Sequence, residues 1–366
     1  MLKIDPFDTL FFRDGKPFTM GADSAAEGIF PPYPSTLFGA VRSAIIAQTH
    51  GLPDFLNERL KSEIGTKDGY ATASIEIKGV FLFREQNIWF PAPLDLVGYE
   101  NTKDKTLDNT QVLCFQDAPL FTSNQQHSSY LMAQNDDLDE SAGYFFSENS
   151  LANYLSGALS GFDLLASQIF YQNEPKIGIK KNRDIGTTEE SHLYRLEMRR
   201  LTKETSLACD ILGTPSLATS GVLKFGGENR VVAYTMLDKQ LPECLACKND
   251  VIERIKQTKR FKLYFLTPAI FSGDEDGKGA WHPNEKFLPS GVSFLTAAIG
   301  KPVSIGGWDV QRKSEKSIRK AIPAGSVYYY HIDDTIDPAV LYDKLNYKNL
   351  SEQAHEGFGL VLVGGV

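Results

Sequence analysis

The chain has 366 residues, 42% of them hydrophobic, with a net charge of −8. That length and apolar content exclude a disordered tail or one small module and suit a folded chain of two domains. The net acidity excludes indiscriminate nucleic-acid binding, and four cysteines, at 114, 209, 244 and 247, are too few and too unevenly placed for a disulfide framework.

In chain order, residues 2–13 read as an opening strand ending in a turn with Arg13, Gly15 and Lys16. The proline-stiffened run Phe30-Pro31-Pro32-Tyr33-Pro34 leads into a helix capped by Ser35 or Thr36, with Leu37, Val41, Ala44 and Ile45 on its apolar stripe. Arg42 falls off that stripe, in a position to face a ligand. Strands are expected at 74–84 and 88–91 around the turn Glu85-Gln86-Asn87, and this β-α-β opening suits a ferredoxin-like, RNA-recognition-motif-like unit. Residues 98–150 are acidic and rich in Asn, Gln and Ser, and read as a long, partly mobile insertion, either a solvated excursion or an arm that meets RNA or a neighbouring protein.

A helical-looking segment at 151–167 precedes a basic block, where residues 176–203 hold eight Lys or Arg against four Asp or Glu. A helix at 249–257 and a strand at 260–266 begin a second unit, with further strands at 303–305 and 327–332. A closing glycine turn, Gly357-Phe358-Gly359, leads into 361–363. The expected class is α+β, with two ferredoxin-like domains, 1–205 and 206–366, long insertions and a C-terminal glycine-rich loop.

The charge is unevenly spread. Ten acidic and two basic residues between 95 and 150 carry the whole −8, leaving 36 of each sign elsewhere. An acidic insertion of this kind conceals a basic, RNA-facing surface in the total. No run approaches the roughly 18 apolar residues of a membrane helix, and Met1-Leu2-Lys3-Ile4-Asp5-Pro6 has no secretory core, so a cytoplasmic location away from membranes is expected.

Cys244-Leu245-Ala246-Cys247 has metal-ligand spacing but no second pair to complete four ligands, so no metal is expected. The six histidines are dispersed and no Gly-Lys-Ser/Thr phosphate loop is present, so neither a cofactor nor nucleotide hydrolysis is expected.

Four places carry candidate chemistry. Arg13, Lys16, Ser35 and Arg42 flank the first turn and helix start, where backbone amides and a guanidinium suit a phosphate; the local reading pairs Arg13 with Asp14 or Asp8 and leaves Ser35 as a cap. Lys176, Lys180, Lys181 and Arg183 surround Gly178 and Gly186 and suit an RNA backbone, unless Asp184, Glu189 and Glu190 neutralise them. Among Arg195, Arg199 and Arg200, at least one is expected to be structural. In Gly226-Gly227-Glu228-Asn229-Arg230 the glycines permit close backbone approach, Asn229 suits a base edge and Arg230 a phosphate, with Glu228 satisfying an amide or an arginine as the alternative. Trp308 and Phe358 are stacking surfaces or buried aromatics beside glycine.

Several ordered blocks resemble the third-Cmr-subunit family, repeat-associated mysterious proteins (RAMPs) of type III-B CRISPR effector complexes. They are residues 6–18 and 30–42, Lys176-Ile177-Gly178-Ile179, Arg183-Asp184 with Gly186-Thr187-Thr188-Glu189-Glu190, Leu193-Tyr194-Arg195 and Phe225-Gly226-Gly227-Glu228-Asn229-Arg230. Thr267-Pro268-Ala269-Ile270-Phe271, Gly306-Gly307-Trp308-Asp309, residues 323–328 and Gly357-Phe358-Gly359 follow in the expected order. The resemblance implies a noncatalytic subunit that captures the 5′ tag of a CRISPR guide RNA. It also implies contact with the large polymerase-like subunit and adjacent backbone RAMP subunits, and with target RNA only indirectly. In that family the closing glycine loop, here Gly357, Phe358 and Gly359, lies beside bound RNA. The alternatives are a RAMP endoribonuclease using His50, and a scaffold that contacts protein only.

Overall fold

A computed structural model describes the chain except residues 14–24, 27, 50, 67–72, 117–128, 136, 182–187, 214–215, 240, 242–246, 272–280, 284–285 and 310–313; for 25–26, 179–181, 188–194 and 308–309 it describes the backbone alone. It is a mixed α/β structure of mostly antiparallel sheets.

The first half is organised on four strands: β1 (Leu2–Pro6), β2 (Glu76–Arg84), β3 (Thr205–Leu212) and β4 (Val231–Met236). They lie side by side in the order β4-β1-β3-β2 within an eleven-stranded sheet, with Ile4 opposite Tyr234 on one flank and Leu207 on the other. The second half repeats that order. Its strands β5 (Arg260–Phe265), β6 (Val292–Ala298), β7 (Val327–Ile332) and β8 (Leu360–Gly365) run β8-β5-β7-β6 in a five-stranded sheet.

Helix α1 (Pro34–Gln48) joins β1 to β2 and buries Leu37, Phe38, Val41 and Ile45 against Leu2, Ile4, Ile77, Leu82, Leu207 and Val232. Its N-cap is Tyr33, two or three residues earlier than the Ser35 or Thr36 cap expected, because Pro34 occupies the first helical position, where a fixed φ and a missing N–H cost nothing. The other face of the first sheet meets the second half. Phe81, Phe83, Phe90 and Ala208 share one core with helices α2 (Glu148–Leu155) and α3 (Lys248–Thr258) and with Phe261, Leu263, Tyr328 and Val361. Covered on both faces, β2 is buried at seven successive positions. Helix α4 (Pro338–Leu345), capped by the Asp337 carboxylate, joins β7 to β8.

Three expectations are corrected. Among its described residues, the insertion at 98–150 contributes strands to the large sheet: Leu96–Asn101, Thr106–Val112, Asp139–Glu140 and Tyr144–Ser147. Its acids stand on exposed positions such as Asp108 while Leu107, Thr110 and Val112 turn inward, and the left-handed Asn109 breaks the alternation that would have revealed the strand. The segment at 151–167 is helical only to Leu155, with glycines of positive φ at 157 and 161 before a strand at Leu164–Ala166. Among the described residues, strand Val303–Ile305 pairs with Arg319–Ala321 in a separate two-stranded sheet, outside the five-stranded one. The sheet opened by Leu2 continues to Met236, with β3 beginning at Thr205.

A buried polar joint links the halves. Asp95, fully buried, accepts from the Tyr154 hydroxyl at 2.9 and 2.7 Å and from the Tyr329 hydroxyl. The Lys262 ammonium lies 3.3 Å from the centre of the Tyr154 ring. Burial pulls that lysine down to about 8, against the attraction of Asp95, while burial and Asp95 push the Tyr154 and Tyr329 hydroxyls well up. Lys78 of β2 donates to Asn349 at 2.5 Å, and Tyr347 donates to Asp210 of β3 at 2.7 Å.

Candidate nucleic-acid interface

Three segments converge where the first sheet meets the long hairpin Tyr171–Lys181/Thr188–Leu201. The chain leaving β1 pairs with the hairpin at Leu10, which exchanges two backbone hydrogen bonds with Arg199 at 2.8 and 2.7 Å. The loop between Lys224 and Val231 then folds onto it: Gly227 N–H donates to Phe11 O at 2.8 Å, and Gly226 has φ +89. A Cβ on Gly226 would lie 2.8 Å from that same carbonyl, so the protein's own backbone already requires a glycine here. Glu228 and Asn229 are both left-handed and complete the turn.

An acid–base lattice covers this junction. Asp8 pairs with Arg230 and, at 3.1 Å, with Arg200; Arg200 also donates to Glu174 at 2.9 Å, and Lys176 meets Glu228 at 2.8 Å. The Thr9 backbone N–H, then the Arg230 and Arg200 guanidiniums, hold the Asp8 carboxyl below the usual range, and Arg200 does the same for Glu174. Arg199 is structural, donating to Gly28 O at 2.8 Å and to Asn173 at 2.6 Å. Three cations on Lys176, Arg200 and Arg230 thus face three carboxylates. Among the described residues, the Nε–H groups of Arg199 and Arg230 are buried with no acceptor.

Lys176, Gly226, Gly227, Asn229 and Arg230 are therefore brought together, and Arg13 stands beside them, bridged to Gly28. The remaining expected residues gather elsewhere or fall outside the described residues. Ser35 lies in the first turn of α1. Arg42 does not face outward: its guanidinium donates to Ile64 O at 3.0 Å and to Thr66 O, 4.8 Å from the Phe55 ring centre. Gly357, Phe358 and Gly359 form a buried seam between the halves. Phe358 has no exposed surface, and a Cβ on Gly357 would stand 2.7 Å from Pro34, so Phe358 is a core residue and not a stacking platform. Glu356, on the same seam, has its carboxyl raised by burial, with Lys316 at 3.9 Å.

Lys16, His50 and Arg183 lie outside the described residues, as do the side chains of Lys180, Lys181 and Trp308. Cys247 is a buried free thiol just before α3, and its partner in the motif, Cys244, is also outside them. Sequence reasoning missed Asp95 and Lys262 altogether. A charge inside Pro93-Leu94-Asp95-Leu96-Val97 and another inside Phe261-Lys262-Leu263 were the available signal, because a charge within an apolar strand needs a partner.

The model of the family CRISPR-associated protein (Cas_Cmr3) matches residues 2–366. The chain belongs to this family. No curated protein matches it. Among solved structures, it is similar at 17% identity to a chain of the type III-B Cmr-beta complex bound to cognate target RNA and AMPPnP, covering 90% of this chain and 85% of that one with a TM-score of 0.49. A second Cmr-beta complex, bound to cognate target RNA, gives the same identity and TM-score over 90% and 86%. A chain of the Csm3–Csm4 subcomplex of the type III-A interference complex follows at 12% identity, 92% and 93% coverage and a TM-score of 0.38. Family membership makes the chain a component of CRISPR effector machinery. Among the described residues, no helix is long and apolar enough to cross a membrane.

Proposed function

We propose that this chain is a noncatalytic subunit of a type III-B effector complex that holds the 5′ tag of the guide RNA at the base of its long hairpin and anchors the large polymerase-like subunit. The repeated strand order in the two halves is the order of a ferredoxin-like β-α-β-β-α-β unit, which supports two such units divided after Met236. The observation that carries the reading to atoms is the gathering of Lys176, Arg200 and Arg230 at the hairpin base, each partly exposed and each paired with a carboxylate that a phosphate can replace. Lys176 and Arg200, each nearly half exposed, can exchange their carboxylates for phosphates as a strand docks.

Co-expression with neighbouring genes and a CRISPR array, purification of the assembly and sequencing of RNA 5′ ends tests this. The expected result is short RNAs sharing one repeat-derived tag, depleted in a Lys176→Gln/Arg230→Gln variant whose proteins still assemble. Unchanged recovery in that variant removes the site. Absence of tagged RNA from the wild-type assembly removes the function. Cleavage of precursor RNA by the purified chain would turn the reading toward an endoribonuclease.

A further inference from the structure

The eleven-stranded sheet ends on strand Ser220–Lys224, which lies outside β4 and pairs Ser220 with Thr235, Val222 with Ala233 and Lys224 with Val231. Along an antiparallel pair, successive residues turn their backbone groups alternately toward the partner and away from it. Phe225 N–H donates to Arg230 O at 2.9 Å and Met236 N–H to Thr219 O at 2.8 Å, so residues 219, 221, 223 and 225 face β4. Leu237 N–H, which donates to Met1 O at 2.8 Å on the other side of β4, fixes the same alternation. Ser220, Val222 and Lys224 therefore aim their N–H and C=O groups away from the sheet, and among the described residues no strand pairs with them.

The side chains on this edge leave it open. Leu223, Val232 and Tyr234 are buried on the face that α1 covers, and the strand alternation turns Val222 and Val231 to the opposite face, where they are 58% and 43% exposed. Ala208, Lys3, Thr235 and Ser220 form one row across that face. Ala208 is buried against the second half, whereas Thr235 and Ser220 are exposed, so the cover stops short of the edge. Prolines, bulges and repeated charges blunt the edges of other sheets, but the open positions here carry one serine, one valine and one lysine in unbroken register. A row of peptide donors and acceptors matches another strand and not an RNA backbone, and on this face Lys3 is held by Asp5 at 3.0 Å.

We propose that this edge takes a further strand from another protein subunit of the effector complex, an extended segment with an apolar residue against Val222 and an acidic residue two positions away against Lys224. Family membership makes the chain a component of such machinery, so this surface stands whether or not the hairpin base holds the guide.

Hydrogen exchange read by mass spectrometry, on the purified full-length chain and on the assembly co-expressed with neighbouring genes, tests this. The amides of Val222 and Lys224 are expected to exchange at least about tenfold more slowly in the assembly, also after nuclease has removed the RNA. Val222→Pro deletes an N–H that the chain's own ladder leaves unused, so it is expected to keep the wild-type melting temperature while one neighbouring subunit is recovered severalfold less. Val222→Lys leaves every backbone group in place and is expected to lose the same subunit. Unchanged exchange on assembly, or full recovery of every subunit with both variants, overturns the added strand. Protection that disappears with the RNA assigns the edge to nucleic acid, and protection that rises with concentration in the isolated chain assigns it to a second copy; either result overturns the protein partner.

Discussion

The joint around Asp95 and the lattice around Asp8 are built from the same chemistry and behave oppositely. Asp95 is fully buried and is held by two tyrosine hydroxyls, with a lysine ammonium on one of their rings. Asp8 is half exposed and shared by two arginines that have solvent within reach. In the dry joint every group depends on one acceptor, so the arrangement can only be kept or lost. In the wet lattice each ion pair contributes little and can be traded for a ligand's charge at small cost. Burial, not the number of charges, separates the residues that hold the halves together from those that the proposed reading places against RNA.

The sharpest way to break this contrast is Asp95→Ala, which leaves two hydroxyls buried without their acceptor and removes the negative charge that attracts the buried Lys262 ammonium. It is expected to cost about 3–5 kcal/mol in urea unfolding, and a near-wild-type midpoint would remove the joint's importance. Next is the pH response of Lys262, held near 8 against an ordinary 10.5. Below pH about 8 both folded and unfolded chains keep the proton and the folded state bears the full burial cost; between 8 and 10.5 the folded state releases it first, so stability rises with pH. Relative to Lys262→Met, wild type should gain about 3 kcal/mol across that window.

A smaller loss, about 1–2 kcal/mol, is expected for Arg42→Ala, which cuts two hydrogen bonds to backbone carbonyls; guide recovery per assembled complex should not change. Arg230→Gln completes the series. Its stability should stay within about 1 kcal/mol of wild type while co-purified guide RNA falls severalfold, and a large stability loss without RNA loss would move Arg230 to the structural side of the comparison.

Much of the fold was legible because its signals are local. Apolar spacing marked α1, the helix at Lys248–Thr258 and the strand at Arg260–Phe265, and the turn at Glu85-Gln86 marked the hairpin it closes. The insertion misled because its strands show solvent one polar face, which reads as loop when a left-handed residue interrupts the alternation. Site residues were harder. Lys176, Gly227 and Arg230 do converge, yet their partners Asp8 and Glu174 lie far off in sequence, and only the fold tells whether an arginine meets a carboxylate or a ligand. Arg42 looked available because helical spacing reports the stripe facing the core, not the loop that later covers the helix flank.

The strand order also sets a timetable for synthesis. Leu2–Pro6 finds its two neighbours only in residues about 200 positions later, so a nascent chain growing at roughly 5–20 residues per second presents that strand with both edges open for roughly 10 to 40 s. Yield in the cell should therefore depend on how well the opening strand is shielded on the ribosome, and slowing translation before Thr205–Leu212 should favour aggregation over folding.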